Sequence, residues 1–554
     1  MKALWFAWVF QRVDRCRWCA DATAVVVLVL ACHALWTTAP AAGDFAWSDA
    51  PRHALNGIVV LDAAKALPLQ DPRAWAEHWY LQYPALSIFF YPPLFSAILA
   101  VAYWIIGISH GTAQTVVAVF HFLLMSGVFV LARRWLPVSY ALGAALALGA
   151  APEVALWARQ VMLDIPAYAW LVWSLVALFQ YVKTERAGYA YLTAASYACA
   201  LYTKQTAVFA VVPMVALIVQ ARGPRIFLDR HLLTVFAVFS TAMIPLVLLH
   251  LAFGSVNTAS ALGSARQDAS RLSIEAWSYY GSILPSQLGW PMVLLAATYL
   301  SGAGLSRSWR IERVGFRFLL VWLVSGYAFF SAIMVREPRH DLMALWPLTI
   351  FGMLAVWKFA SLLDSRRAEF FGAGLALALG FGTVAWSMDK VAVPFVSGYR
   401  ELAEFVVEHA PPNSYVLFNG YRDGTFIFDV RVLARPDLGV IRADKLLLRL
   451  SIERERGVDV VDVDRATLVD YLRRFRIRYV VSQEDFWTDL KSMRLLNSVL
   501  ADPAVFAEVK KVRTNANYAN TDKVLTVYKY LGDLEDQPEK LSLEMVGIGM
   551  TFSQ

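Results

Sequence analysis

Several short stretches of this chain combine residue types that can act together on a substrate. WSDAPRHALNG, residues 47–57, sets the carboxylate of Asp49 beside Arg52 and His53. ARQVMLDIPAYAW carries Arg159 and Asp164, and LYTKQTA carries Lys204 between two apolar runs. VREPRHD gathers Arg336, Glu337, Arg339 and His340. An aromatic group, Trp75, Trp79, Tyr80, Tyr83, Phe89, Phe90 and Tyr91, lies between the first two acids. A carboxylate such as Asp49 can take a proton from an acceptor hydroxyl. The guanidinium fork of arginine matches two phosphate oxygens, and lysine adds a compact charge. Plainer readings stand beside these. Asp49 reads equally as a solvated loop acid, Asp164 before Pro166 as a helix cap, Lys204 as a snorkelling side chain, and the aromatics as a membrane-interface belt.

These residues need elements to hold them, and the composition says what those are. The 554 residues are 58% hydrophobic and 17% charged, against about 25% charged in soluble domains. The apolar residues fall in long runs, so lipid is the solvent for most of the chain. We place spans at 21–40, 112–132, 137–152, 165–183, 188–203, 205–221, 231–253, 288–305, 316–335, 341–360 and 370–392. The first is read as a retained helix rather than a cleaved leader. Ser87–Ile108 begins with Tyr91-Pro92-Pro93, a poor helix start, and is read as interfacial or re-entrant.

The net charge of +7 follows from basic residues in alternate loops, so no nucleic-acid partner is expected. Arg12, Arg15 and Arg17 place the N-terminus in the cytoplasm, and Arg133-Arg134, Lys183/Arg186, Arg222/Arg225/Arg230, Arg307–Arg317 and Arg366-Arg367 mark the same side. The stretches carrying Asp49, Asp164, Lys204 and Arg336–His340 then share the outer face. The four cysteines, Cys16, Cys19, Cys32 and Cys199, suggest neither a structural disulfide nor a complete metal site. After residue 393 the apolar runs shorten. Tyr415–Phe418, Phe426–Val430, Arg478–Ser482 and Val524–Tyr530 read as strands, and Arg400–His409, Arg465–Arg474 and Leu490–Leu500 as helices. The expected organisation is an α-helical polytopic membrane domain, 1–393, followed by an extracytoplasmic soluble α/β domain, 394–554.

In order, WSDAPRHALNG, YPALSIFFYPPLFSA, ARRWLP, RQVMLDIPAYAW, YTKQTAVFAVVP and VREPRHDLMALWP resemble the bacterial branch of the dolichyl-phosphate-mannose–protein mannosyltransferase family. That family belongs to the GT-C membrane glycosyltransferases, with the lipid A aminoarabinose transferases. The resemblance covers residues 20–390. It implies a multi-pass enzyme of the inner (plasma) membrane. The implied donor is a polyprenyl-phosphate-linked sugar, transferred with inversion on the outer face. Asp49 matches the first-loop acid, the implied general base, and Asp164 the second-loop acid. Lys204 and the Arg336–His340 run match basic positions near the lipid phosphate. Many relatives have an acidic pair where Asp49 is followed here by Ala50.

The residues support the same chemistry. A lipid phosphate is a weakly basic leaving group, and fixed cations stabilise the charge that develops on it. We expect Asp49 and Asp164 to be catalytic, and Arg52, Arg159, Lys204, Arg336 and Arg339 to bind the donor phosphate. His53, Glu337, His340 and Tyr83 are expected to contact sugar or acceptor. No cofactor is required, and a divalent metal is possible but not indicated, although Asp49 and Asp164 could share a site. The expected acceptor is a glycan, a glycolipid or a protein hydroxyl. A polytopic lipid or sugar transporter is the alternative, but no internal repeat is visible and the polar residues lie at one face rather than mid-membrane.

Overall fold

The structure is a computed structural model that describes residues 17–41, 43–254, 257–258, 272–363, 365–433, 435–450, 457–545 and 550–553. Arg12, Arg15 and Cys16, which entered the orientation and cysteine readings, lie outside the described residues.

Among the described residues, eight helices are long and apolar enough to cross a bilayer: Trp18–Trp36, His110–Ala132, Asp164–Thr184, Gln205–Arg222, Arg230–Phe253, Arg313–Ala332, Leu342–Leu362 and Arg366–Lys390. Two further spans form if each bent pair counts as one. These are Val138–Gly149 with Pro152–Ala158, bent by 66°, and Ile274–Leu288 with Trp290–Leu305, bent by 118°. The expected run 188–203 is the helix Ala187–Leu201. Its 15 residues rise about 22 Å, short of a bilayer core of about 30 Å. It pairs with Asp164–Thr184, so Lys204 returns to the level of Asp164. The ambiguous run 87–108 contains the 13-residue helix Leu94–Ile106, too short to span.

Contacts between loops sort the bundle into two ends. Arg133 pairs with Asp21 at 3.1 Å, the Arg134 guanidinium lies 4.4 Å over Phe179, and Trp135 donates to Glu312 at 2.7 Å. Arg222 pairs with Glu185, and Lys358 donates to the Ser308 carbonyl at 2.9 Å. The loops rich in basic residues therefore meet at one end. The acids at 49 and 164 meet at the other.

Helix Arg366–Lys390 leads into a mixed α/β region. Its main sheet has the order 438–442, 414–419, 477–483, 524–530, 506–513. The first three strands are parallel and buried, and the last two run antiparallel. Phe426–Val430, expected as a strand, is instead part of helix Asp423–Val432. A short continuous apolar run has no period that separates strand from buried helix. The region is stitched to the segment before Asp49. Asp44 bridges Val396 in antiparallel fashion, its carboxylate accepts from the Tyr399 amide at 2.7 Å, and Phe45 meets Phe428 edge-on at 4.9 Å.

Candidate active site

Asp49 sits in the first turn of helix Asp49–Ala66, where the N-terminal dipole favours an anion. Residues 47–57 were read as a polar loop. Most of that stretch is helix, and its side chains Ala50, Ala54 and Leu55 are buried beneath Asp49. The Asp49 carboxylate stays 32% exposed and lies 3.5 Å from the Arg339 guanidinium. Arg339 also contacts Glu337 at 2.6 Å, and its guanidinium stacks 4.9 Å over the Trp157 ring. Trp157 is fixed in turn by donating its indole N–H to Glu153 at 2.8 Å.

Below this layer Asp164 opens its helix and forms an ion pair with Lys204. The helical hairpin described above brings them together. The Asp164 side chain is 4% exposed and that of Lys204 12%, so each charge is held in place by the other. His53, one turn after Asp49, is buried against Tyr91, with ring centroids 4.8 Å apart. Burial pushes its pKa down to about 4 against the pull of Asp49, so the ring is neutral at pH 7. His340 is likewise pushed to about 4 by burial, with Lys204 adding to the shift. Its Nδ1–H then donates to the Val335 carbonyl at 3.1 Å, and Nε2 faces Glu337 at 4.0 Å.

Of the residues singled out by sequence, Asp49, His53, Asp164, Lys204, Glu337, Arg339 and His340 converge. Four do not. Arg52 turns away from Asp49, and its Nη2 donates to both oxygens of Asp423 at 3.0 Å. Arg159 is buried with its donors occupied: by Ala155 O at 2.9 Å, Thr38 Oγ1 at 2.8 Å, Val391 O at 3.2 Å and Ser387 O at 3.3 Å. It ties the end of the first span to the end of the last. Arg336 folds back on the end of helix Arg313–Ala332, donating to Ser331 O at 3.1 Å. Tyr83 is buried against Trp79, ring centroids 5.2 Å apart, beside the Asp62–Arg431 ion pair. Asp62 lies thirteen residues along the helix from Asp49, a rise of about 20 Å. Arg52, Arg159 and Arg336, expected at the phosphate, and Tyr83, expected at the sugar, thus stand apart from the cluster with contacts of their own.

Glu153 and Trp157 were missed by sequence reasoning. Their i, i+4 spacing in APEVALWARQ was the available signal. Among the described residues, no three His, Cys, Asp or Glu side chains converge as metal ligands. The cluster sets Asp49, Asp164 and Glu337 against Arg339 and Lys204, a layout that offers cations to an anionic group and the accessible carboxylates of Asp49 and Glu337 to a hydroxyl.

The dolichyl-phosphate-mannose-protein mannosyltransferase family model matches residues 91–249. No curated protein matches the chain by sequence. Among solved structures, ArnT from Cupriavidus metallidurans bound to undecaprenyl phosphate is similar at TM-score 0.61 and 16% identity. The match covers 93% of this chain and 99% of that one. The archaeal oligosaccharyltransferase AglB from Archaeoglobus fulgidus, in complex with an inhibitory peptide and a dolichol-phosphate, is similar at TM-score 0.56 and 12% identity. Here 85% of this chain and 70% of that one are covered. Residues 91–249 are thus similar to that family's model, and the chain has the fold of ArnT.

Proposed function

We propose that the chain is a glycosyltransferase that moves a sugar from a polyprenyl-phosphate donor to an acceptor hydroxyl on the outer face of the membrane, with inversion. The observation that carries this is the graded cluster at one end of the bundle. Asp49 is 32% exposed, Arg339 13%, Lys204 12% and Asp164 4%. A lipid-borne phosphate approaches from the membrane side, where Lys204 and Arg339 are fixed. A water-borne acceptor approaches from the side where Asp49 is open. The similarity to lipid-phosphate-bound structures points to the same donor class.

In this reading Asp49 takes the proton of the attacking hydroxyl. The sugar bond to phosphate breaks as the new bond forms on the opposite face. Lys204 and Arg339 stabilise the charge that gathers on the leaving phosphate. Asp164 keeps Lys204 in place. Neutral His53 and His340 pack around the charged groups without adding charge. The acceptor is a glycan, a glycolipid or a protein hydroxyl. The membrane is the inner (plasma) membrane, with the N-terminus cytoplasmic and the C-terminal domain outside.

In proteoliposomes loaded with polyprenyl-phosphate sugars and an extract of envelope acceptors, Asp49→Asn leaves folding intact and lowers transfer at least about 100-fold. Wild-type turnover in that variant would overturn Asp49 as base. The proposed route uses no metal. Chelator treatment is therefore expected to leave turnover unchanged, and its loss, restored by a divalent ion, would overturn the metal-free route.

A further inference from the structure

One aromatic residue at the cluster has no structural task that accounts for its exposure. Trp47 lies two residues before Asp49, and its side chain is 40% exposed. The aromatic beside it, Trp157, is 4% exposed. The two rings lie 5.2 Å apart and tilted by 44°, so Trp157 braces Trp47 without covering it. Trp157 is itself held by Glu153 at its N–H and by Arg339 over its face. Arg339 closes the circuit by reaching Asp49 at 3.5 Å. An exposed indole is thus fixed, through two braced neighbours, beside the partly open carboxylate of Asp49.

We propose that Trp47 is the platform for a sugar ring of the acceptor, so that the acceptor is a carbohydrate rather than a peptide. A pyranose has an apolar face of C–H bonds and a rim of hydroxyls. The indole offers a rigid apolar surface for the face, with little conformational entropy to lose. The rim meets exposed acceptors of hydrogen bonds, the carboxylates of Asp49 and Glu337, and the exposed Ser48. An ionised carboxylate only accepts, which suits a ring of O–H donors. The exposure gradient assigns the ring to the acceptor. Trp47 and Ser48 are exposed, whereas the cations Arg339 and Lys204 are largely buried. The word acceptor rests on the transferase reading above, whereas the sugar platform itself does not require turnover.

The test is therefore a binding measurement. Saturation-transfer NMR is run on the full chain in nanodiscs with methyl glycosides of glucose, galactose and mannose, and with a Ser/Thr-rich peptide. Wild type is expected to transfer saturation to at least one glycoside, strongest at its C–H face, and not to the peptide. Trp47→Phe retains the signal, and Trp47→Ala weakens binding at least about tenfold. The readout is binding and not turnover, which separates failure of the platform from failure of Asp49 as base. Equal glycoside binding in Trp47→Ala and wild type, as a plain interface anchor would give, overturns the proposal. So does binding of the peptide alone, or no glycoside signal in wild type.

Discussion

The first turn of helix Asp49–Ala66 places Asp49 and Arg52 three residues apart, close enough to pair with each other. Neither does so. Asp49 meets Arg339 across one 3.5 Å contact and stays partly open. Arg52 meets Asp423 of the C-terminal region. Asp423 also takes Arg442 at 2.8 Å, and Arg442 is completed by Asp444 at 2.5 Å. Burial alone would raise the Asp423 carboxyl, but Arg442 and Arg52 hold it below the usual carboxylate range. The backbone closes tightly there too, because a Cβ at Gly424 would fall 2.9 Å from Pro51. The two regions share residue types and differ in completeness. The Asp423 seam satisfies its charges within the protein, as a buried joint should. The Asp49 cluster leaves the Asp49 carboxylate loosely paired and partly exposed, and Glu337 beside it exposed too, which is the condition for acting on a substrate.

Paired substitutions break this comparison most directly. Arg339→Ala is expected to lower kcat by about 100-fold or more by removing a cation at the leaving phosphate. Arg52→Ala is expected to keep kcat within about tenfold and instead destabilise the fold by about 1–3 kcal/mol, read by thermal unfolding in detergent. The reverse pattern would exchange the roles assigned to the two regions.

Lys204→Ala sharpens the same contrast inside the site. It strands a buried acid, so stability should fall by about 3–5 kcal/mol and the donor KM should rise. Adding Asp164→Asn should restore most of the stability and none of the donor affinity. Recovery of both would make the pair purely structural.

The smallest expected effect is on the pH dependence of stability. His53, faced by Asp49, Arg339, Asp164 and Lys204, has its pKa lowered from 6.5 to about 4 by burial. Its contribution is complete above pH 6.5 and is lost as pH falls toward 4. Asp341, which accepts from Gln287 at 2.6 Å, is raised from 3.8 to about 7, chiefly by burial. Its contribution is complete below pH 3.8 and is lost as pH rises through 7. His53→Gln should flatten the acid limb of a melting-temperature profile and Asp341→Asn the limb near neutrality. Unchanged slopes in both variants would remove these two groups from the pH response.

The membrane domain was legible because lipid imposes a simple demand, long apolar runs with charge at their ends. The Asp164–Lys204 pair was half legible. Both stood out as polar residues beside apolar runs, but their meeting depends on the helices Asp164–Thr184 and Ala187–Leu201 turning back on each other. Tyr83 and Arg159 stand apart from the cluster for a shared reason. A polar or aromatic side chain near a helix end looks available until its partners from distant segments are known.

The sequence by itself determined the solvent of the chain, the change of character after residue 393 and the set of residues from which a site could be built. Hydropathy and charge are summed locally, so each of these can be read along the chain. Only the tertiary structure decided that Arg339 rather than Arg52 faces Asp49, that Asp423 closes the neighbouring charge, and that Trp47 stays open beside them. Those outcomes depend on contacts between residues up to several hundred positions apart, such as the 371 that separate Arg52 from Asp423, and local spacing carries no information about them.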